Sequence, residues 1–185
     1  GQTTASRLVS GLHASERVNT VAQIDMCNMI SDLYDSQGLN HSTDPLAWDY
    51  AGTFSPSLIY VPDEATWYIF YSASGANQSS KLTCAQMVAR SQSPGGPWTK
   101  LGLMGAPTGK GWNSHRLDSG RALVIAGRKA YWTKGVSGKV TASEGVYFPN
   151  NPSSFAPPYT EYAHNPLFPP PPSDSRGYEN CGSCI

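Results

Sequence analysis

Charge is scarce in this chain. Only 14% of its 185 residues are Asp, Glu, Lys or Arg, against roughly 25% in an average globular domain, and thirteen basic residues cancel thirteen acidic ones. There is no Lys/Arg run and no basic amphipathic stripe, which argues against nucleic acid or an anionic membrane surface as a partner. Long hydrophobic runs are missing too: no stretch of about 18 apolar residues occurs, so no helical membrane span is encoded. Gly1-Gln2-Thr3-Thr4-Ala5 lacks the basic and apolar regions of a signal peptide; a secreted chain would already have lost its leader. Cysteine is rare, at four. Cys27 and Cys84 fall in strand-like segments of neighbouring units and read as one disulfide. Cys181-Gly182-Ser183-Cys184 has CxxC spacing, but a zinc site needs two further ligands and a redox motif a βαβ setting. Neither is visible, so these two read as a terminal disulfide or a link to another chain, and no metal or cofactor is expected.

Against these absences stand 39% hydrophobic and 11% aromatic residues, enough to bury a core. Asn40-His41-Ser42 and Asn77-Gln78-Ser79 both fit the N-glycosylation pattern in turn-rich surroundings. They add to a composition that suits a secreted, extracellular protein, and the scarce, balanced charge suits a polar, uncharged ligand.

The strongest signal is repetition. Ser57-Leu58-Ile59-Tyr60-Val61, the turn at Asp63-Glu64, Thr66-Trp67-Tyr68-Ile69-Phe70-Tyr71-Ser72, Met87-Val88-Ala89-Arg90-Ser91 and Trp98-Thr99-Lys100 form one series. Arg121-Ala122-Leu123-Val124-Ile125, the turn at Gly127-Arg128, Ala130-Tyr131-Trp132-Thr133-Lys134, Gly145-Val146-Tyr147-Phe148 and Tyr159-Thr160-Glu161 form a second, 64 residues on at the first strand and 61 at the last. Four short strands per unit at such a period predict all-β propeller blades. The expected organisation is a partial first blade over 1–44, blades over 45–105 and 106–168, and a Pro-rich tail over 169–185 that ends ladder pairing at Pro169-Pro170-Pro171-Pro172. Within the partial blade, residues 23–38 read as closing strands of an earlier unit. Phe70-Tyr71 and Tyr131-Trp132 are expected to pack between blades.

Trp48-Asp49-Tyr50-Ala51-Gly52-Thr53-Phe54-Ser55-Pro56-Ser57 and Ala89-Arg90-Ser91-Gln92-Ser93-Pro94-Gly95-Gly96-Pro97-Trp98 resemble blade two of the five-bladed β-propeller glycoside hydrolases, families 43 and 117. Trp112-Asn113-Ser114-His115-Arg116-Leu117-Asp118 is similar to blade three of family 117, and Asn165-Pro166-Leu167-Phe168 to the segment leading toward blade four. The resemblance covers residues 23–168. Five blades at this period need about 300 residues, so it implies a truncated descendant or a fragment whose missing blades come from a second copy or another chain. The family's first-blade aspartate has no counterpart. Ser57 stands where many relatives carry a carboxylate, and Asp118-Ser119-Gly120 replaces the blade-three aspartate-aspartate-proline.

Glycoside cleavage needs one carboxyl to protonate the leaving oxygen and another to activate water, roughly 6.5–9.5 Å apart in an inverting site. Asp49 and Asp118, each just upstream of an expected inner strand, are the candidates; Asp49 alternatively closes a turn through its side chain. His115 is a possible acid beside Asp118, and Arg116 shares its loop. Trp48 and Trp112 serve either sugar stacking or blade packing. Glu144 falls on a later strand and is expected to face solvent. The reading is thus a carbohydrate-active glycoside hydrolase-like protein, or a non-catalytic carbohydrate-binding, structural or interaction glycoprotein built on the same blades.

Overall fold

The computed structural model describes residues 23–24, 39, 41–75, 84–137 and 141–168. Nearly all of it is strand: β1 (Gln23–Ile24), β2 (Gly52–Val61), β3 (Thr66–Ser74), β4 (Ala85–Ser91), β5 (Thr99–Gly105), β6 (Arg116–Ile125), β7 (Arg128–Ser137), β8 (Thr141–Pro149) and β9 (Tyr159–Glu161). Helix among the described residues amounts to two single 3-10 turns, Pro62–Glu64 and Gly111–Asn113. Two antiparallel sheets result, ordered β1-β2-β3-β4-β5 and β6-β7-β8-β9. Seven of the eight expected segments lie each within one strand of these sheets; in the eighth, Trp98 precedes β5, which starts at Thr99 and runs on to Gly105. One placement differs: Gln23–Ile24 does not close an earlier sheet but adds to the first one beside Leu58 and Ile59.

Alternation explains how the sheets stack. Side chains of successive strand residues point to opposite faces, so β3 sends Tyr68 and Phe70 one way and Trp67, Ile69 and Tyr71 the other. The first set meets Leu117, Ala122, Tyr131 and Tyr147 of the second sheet, with Ile59, Val61, Val88, Met104 and Phe155, in a dry core between the sheets. Phe70 and Tyr131 stack there with ring centroids 4.5 Å apart. The second set forms another cluster with Leu39, Leu58, Ala73, Ala89 and Trp98. Tyr71 therefore packs on the opposite face from Phe70, and Trp132 lies against Phe168 instead of in the inter-sheet core.

The connections obey local rules. Ala126 (φ 49) and Gly127 (φ 77) both take left-handed backbone, the requirement of a two-residue type I′ hairpin, and they join Ile125 to Arg128. The loop is thus one residue earlier than Gly127-Arg128. The first hairpin is longer, a 3-10 turn closed by Ala65 in the left-handed region. Both first strands carry a bulge at matching places, with register breaks between Phe54 and Ser57 and between Asp118 and Gly120. Ser55 (φ 49) and Ser119 (φ 42), 64 residues apart, are the left-handed residues inside them.

Candidate functional site

The bulge in β6 decides where Asp118 points. The hairpin sets Gly120 opposite Thr133 and Arg121 opposite Trp132; continued without a break, that register would put Asp118 opposite Gly135. Ser119 is left out of the ladder instead, and Asp118 pairs with Lys134. A one-residue slip moves a side chain to the other face of a strand. Asp118 accordingly lies inside the first strand of its sheet, not upstream of it. Its Oδ1 accepts from Ser72 Oγ (3.4 Å) on the first sheet and from Ser119 Oγ (3.2 Å). Its Oδ2 stands 3.7 Å from Arg116 Nε and 3.9 Å from Lys134 Nζ. Both cations are in ion-pair range but beyond hydrogen-bonding distance, and the Arg116 Nε is a buried donor without a hydrogen-bond partner.

A polar tie between the sheets holds this carboxylate. Gln86 Nε2 donates to Ser72 Oγ (2.8 Å) and to Leu117 O (3.3 Å), Tyr131 OH donates to Gln86 Oε1 (2.7 Å), and Ser119 N donates to Ser72 Oγ (3.1 Å). Ser72 and Gln86 are fully buried, where an unpaired polar group would cost about 1–3 kcal/mol; here each has its partners. Burial, then the Asp118 carboxylate, pushes the Tyr131 hydroxyl well above the ordinary tyrosine range. The same two causes push the Cys84 thiol up to about 12. Cys84 corrects the expected disulfide: its thiol is free and buried, 3.8 Å from Ala85 O. Its expected partner Cys27 lies outside the described residues, as do Cys181, Cys184 and the glycosylation candidates Asn40 and Asn77.

Asp49 is held elsewhere. It is buried, with Oδ2 2.5 Å from Lys100 Nζ on β5, while its backbone carbonyl accepts from Ser42 N. Trp48 beside it packs on the Trp67–Ile69–Tyr71 cluster. Counting 64 residues on from Trp48-Asp49 reaches Trp112-Asn113, which sit in the matching loop of the second unit. Asn113 is likewise buried, donating to Tyr147 OH (2.9 Å) and accepting from Thr108 Oγ1 (2.9 Å). Asp49 and Asn113 are thus equivalent loop anchors, whereas the equivalent of Asp118 is Phe54. Trp112 packs against the inter-sheet core: its ring occupies the space a Cβ would need on Gly135 and Gly145, and its Nε1 donates to Glu161 (2.6 Å). His115 enters through its backbone, donating N–H to Val136 O (2.9 Å).

The arrangement therefore brings Arg116 and Asp118 together and adds three residues, Ser72, Gln86 and Lys134, that the sequence reading did not single out. Glu144, expected to face solvent, accepts from Trp132 Nε1 (2.8 Å) at Oε2 and stands beside Lys134.

No protein-family model matches this chain, and no curated protein does. Among solved structures, Zg3597, a family 117 glycoside hydrolase from the marine bacterium Zobellia galactanivorans, matches with a TM-score of 0.57 at 17% identity, over 72% of this chain. The fold is similar to that of a glycoside hydrolase. The match spans 38% of the length of Zg3597.

Proposed function

We propose that this chain is part of a secreted β-propeller protein of the glycoside hydrolase type that acts on or binds an uncharged oligosaccharide, with Asp118 at the centre of its site. One observation carries the reading: in a fold similar to that of a glycoside hydrolase, a bulge aims a largely buried carboxylate so that one oxygen is hydrogen-bonded and the other is left between two cations. An open carboxylate oxygen accepts a sugar hydroxyl or exchanges a proton with it; the adjacent N–H groups donate. Arg116 and His115 flank this centre, and Trp112, packed by its ring, supports the loop that carries them. The kinship with family 43, glycans on Asn40 and Asn77, disulfides through Cys27, Cys181 and Cys184, and a second copy or another chain that completes the propeller belong to the same proposal. The mass of the native protein, reduced and unreduced, reads those features together.

Hydrolysis of plant and algal oligosaccharides tests the activity. Asp118→Asn is expected to lower turnover by at least about 100-fold, the lower end of general acid–base contributions, with an unchanged circular dichroism spectrum. Full turnover in that variant would remove Asp118 from the chemistry. Binding without any cleavage by the wild-type protein would favour the second reading, a non-catalytic carbohydrate-binding protein. The specific observation on that side is Asp49, the other expected carboxylate, which is engaged with Lys100 and not with Asp118.

A further inference from the structure

The register places three charged residues in one row: Asp118 on β6 faces Lys134 on β7, which faces Glu144 on β8. The Glu144 N–H and C=O both bond toward Phe168 and Leu167 on the other side, so Lys134 and Glu144 form a pair not joined by backbone hydrogen bonds, the kind with Cα atoms about 4.5 Å apart and side chains close.

The first sheet carries the same row in different residues. Phe54 faces Ser72, which faces Gln86, and the bulge follows at the same point. There the two polar members are uncharged, and their side chains bond one another and the second sheet at Asp118, Ser119, Leu117 and Tyr131. In the second sheet all three members are charged, and much of their bonding capacity is unmet. Among the described residues, Lys134 Nζ donates no hydrogen bond although its side chain is only 11% exposed, and its nearest anion is Asp118 Oδ2 at 3.9 Å. Asp118 Oδ2 accepts none, the buried Arg116 Nε donates none, and Glu144 uses Oε2 alone. The Arg116 Nε is a buried donor with no partner, which is costly, and burying the whole row, with the half-buried Lys134, against another dry sheet would add to that cost. Two cations and two carboxylates with open valences, beside the Trp132 ring, instead match a ligand that offers adjacent hydroxyls as both donors and acceptors.

We propose that Arg116, Asp118, Lys134 and Glu144 form one hydroxyl-recognition site on the second sheet, and that Glu144 supplies the second carboxyl of the Asp118 centre. This rests on the carbohydrate reading above and replaces Asp49 in it. The backbones of β6 and β8 lie two strand spacings apart, roughly 9.5 Å, a span of the same order as the roughly 6.5–9.5 Å between the carboxyls of an inverting site. In that reaction one carboxyl gives its proton to the departing glycosidic oxygen as the C–O bond breaks. The other takes a proton from the water whose oxygen bonds to the anomeric carbon, so the products are two free hydroxyl groups.

The experiment is a titration of isotope-labelled protein with a panel of plant and algal oligosaccharides, following the Lys134 ammonium and Trp132 indole resonances, with chromatography of the products. A binding sugar is expected to shift both resonances. Glu144→Gln and Lys134→Arg should weaken its binding by about tenfold or more, and Glu144→Gln should slow cleavage at least about 100-fold, with melting temperatures near wild type. Asp63→Asn, an exposed carboxyl outside the site, should change neither. A sugar that binds or is cleaved while both resonances stay fixed, or equal cleavage by Glu144→Gln, overturns this site and leaves the carbohydrate reading standing. A panel with no binder overturns both. Carbodiimide cross-linking of Lys134 to a strand of another polypeptide in the native material would show a covering sheet instead of a ligand, and would also overturn it.

Discussion

At the scale of single residues, the site depends on what is missing as much as on what is present. A Cβ on Gly120 would lie 2.4 Å from Trp132 O and 2.5 Å from Tyr131 Oη. Glycine at that position thus lets the Tyr131 hydroxyl reach Gln86 and close the tie that holds Ser72 against Asp118. Gly120→Ala is expected to cost about 1–3 kcal/mol by overpacking. Gly52→Ala, whose Cβ would meet only Ser74 Oγ at 3.7 Å, should stay within about 0.5 kcal/mol. Urea unfolding of the two variants side by side decides it, and equal costs would mean the bulge relaxes freely. The sequence made Arg116 and Asp118 legible because they are two positions apart on a strand. The Asp118–Lys134–Glu144 row was hidden: the hairpin at Ala126-Gly127 specifies the register down to Gly120, but the left-handed serine at 119 shifts it by one, and serine is not a residue from which a left-handed bulge is read.

At the scale of elements, the ends of the two first hairpins are clipped together. Glu64, in the turn between β2 and β3, accepts from Tyr68 OH and from Lys129 Nζ at the start of β7, and Lys129 also donates to Ser153 O. Tyr68 OH meets Ser154 Oγ at 3.1 Å. The Lys129 side chain is 11% exposed and that of Glu64 24%, so water screens the pair only in part. Glu64→Gln is expected to destabilise by about 1.5–3 kcal/mol, the range for hydrogen bonds to charged groups. Glu64→Gln with Lys129→Met should cost less than the two single changes added together, because the second change removes the ammonium that the first leaves unpaired. Additive costs in a double-mutant cycle would make the clip incidental. All the main strands were legible, since β-branched and aromatic runs between turn formers are local signals. The two-residue β1 was not, because so short an edge strand is selected by its partner at Leu58 and Ile59 and not by its own sequence.

At the scale of the whole molecule, the sheets stack in the same sense: the face of the first sheet bearing Tyr68 and Phe70 meets the face of the second bearing Tyr131. The repeat announced two like sheets, but it could not say which face meets which, because aromatic residues occupy both faces of β3. That stacking encloses hydroxyls that titrate only at alkaline pH. Burial is the first cause that raises the pKa of Tyr68, Tyr131, Tyr147 and Tyr159; the second is the Glu64 bond for Tyr68, the Asp118 carboxylate for Tyr131 and the Glu161 carboxylate for Tyr147. A folded-state pKa above the unfolded one means that the native protein holds its proton longer. The stabilising contribution is complete below the unfolded value, near 10 for tyrosine, and is lost as pH climbs toward the folded value. Cys84, pushed up to about 12, begins the same loss near pH 8.5–9. Unfolding free energy should therefore decline gently above pH 9 and steeply above pH 10, each buried tyrosine contributing about 1.4 kcal/mol per pH unit there. Urea unfolding at pH 8, 10 and 11 measures the curve, and Tyr147→Phe isolates one group while the lysines and arginines titrate identically in both proteins. The variant should show a shallower decline by that one proton; curves that run parallel from pH 8 to 11 would mean Tyr147 ionises as freely folded as unfolded, and that the seam between the sheets admits water.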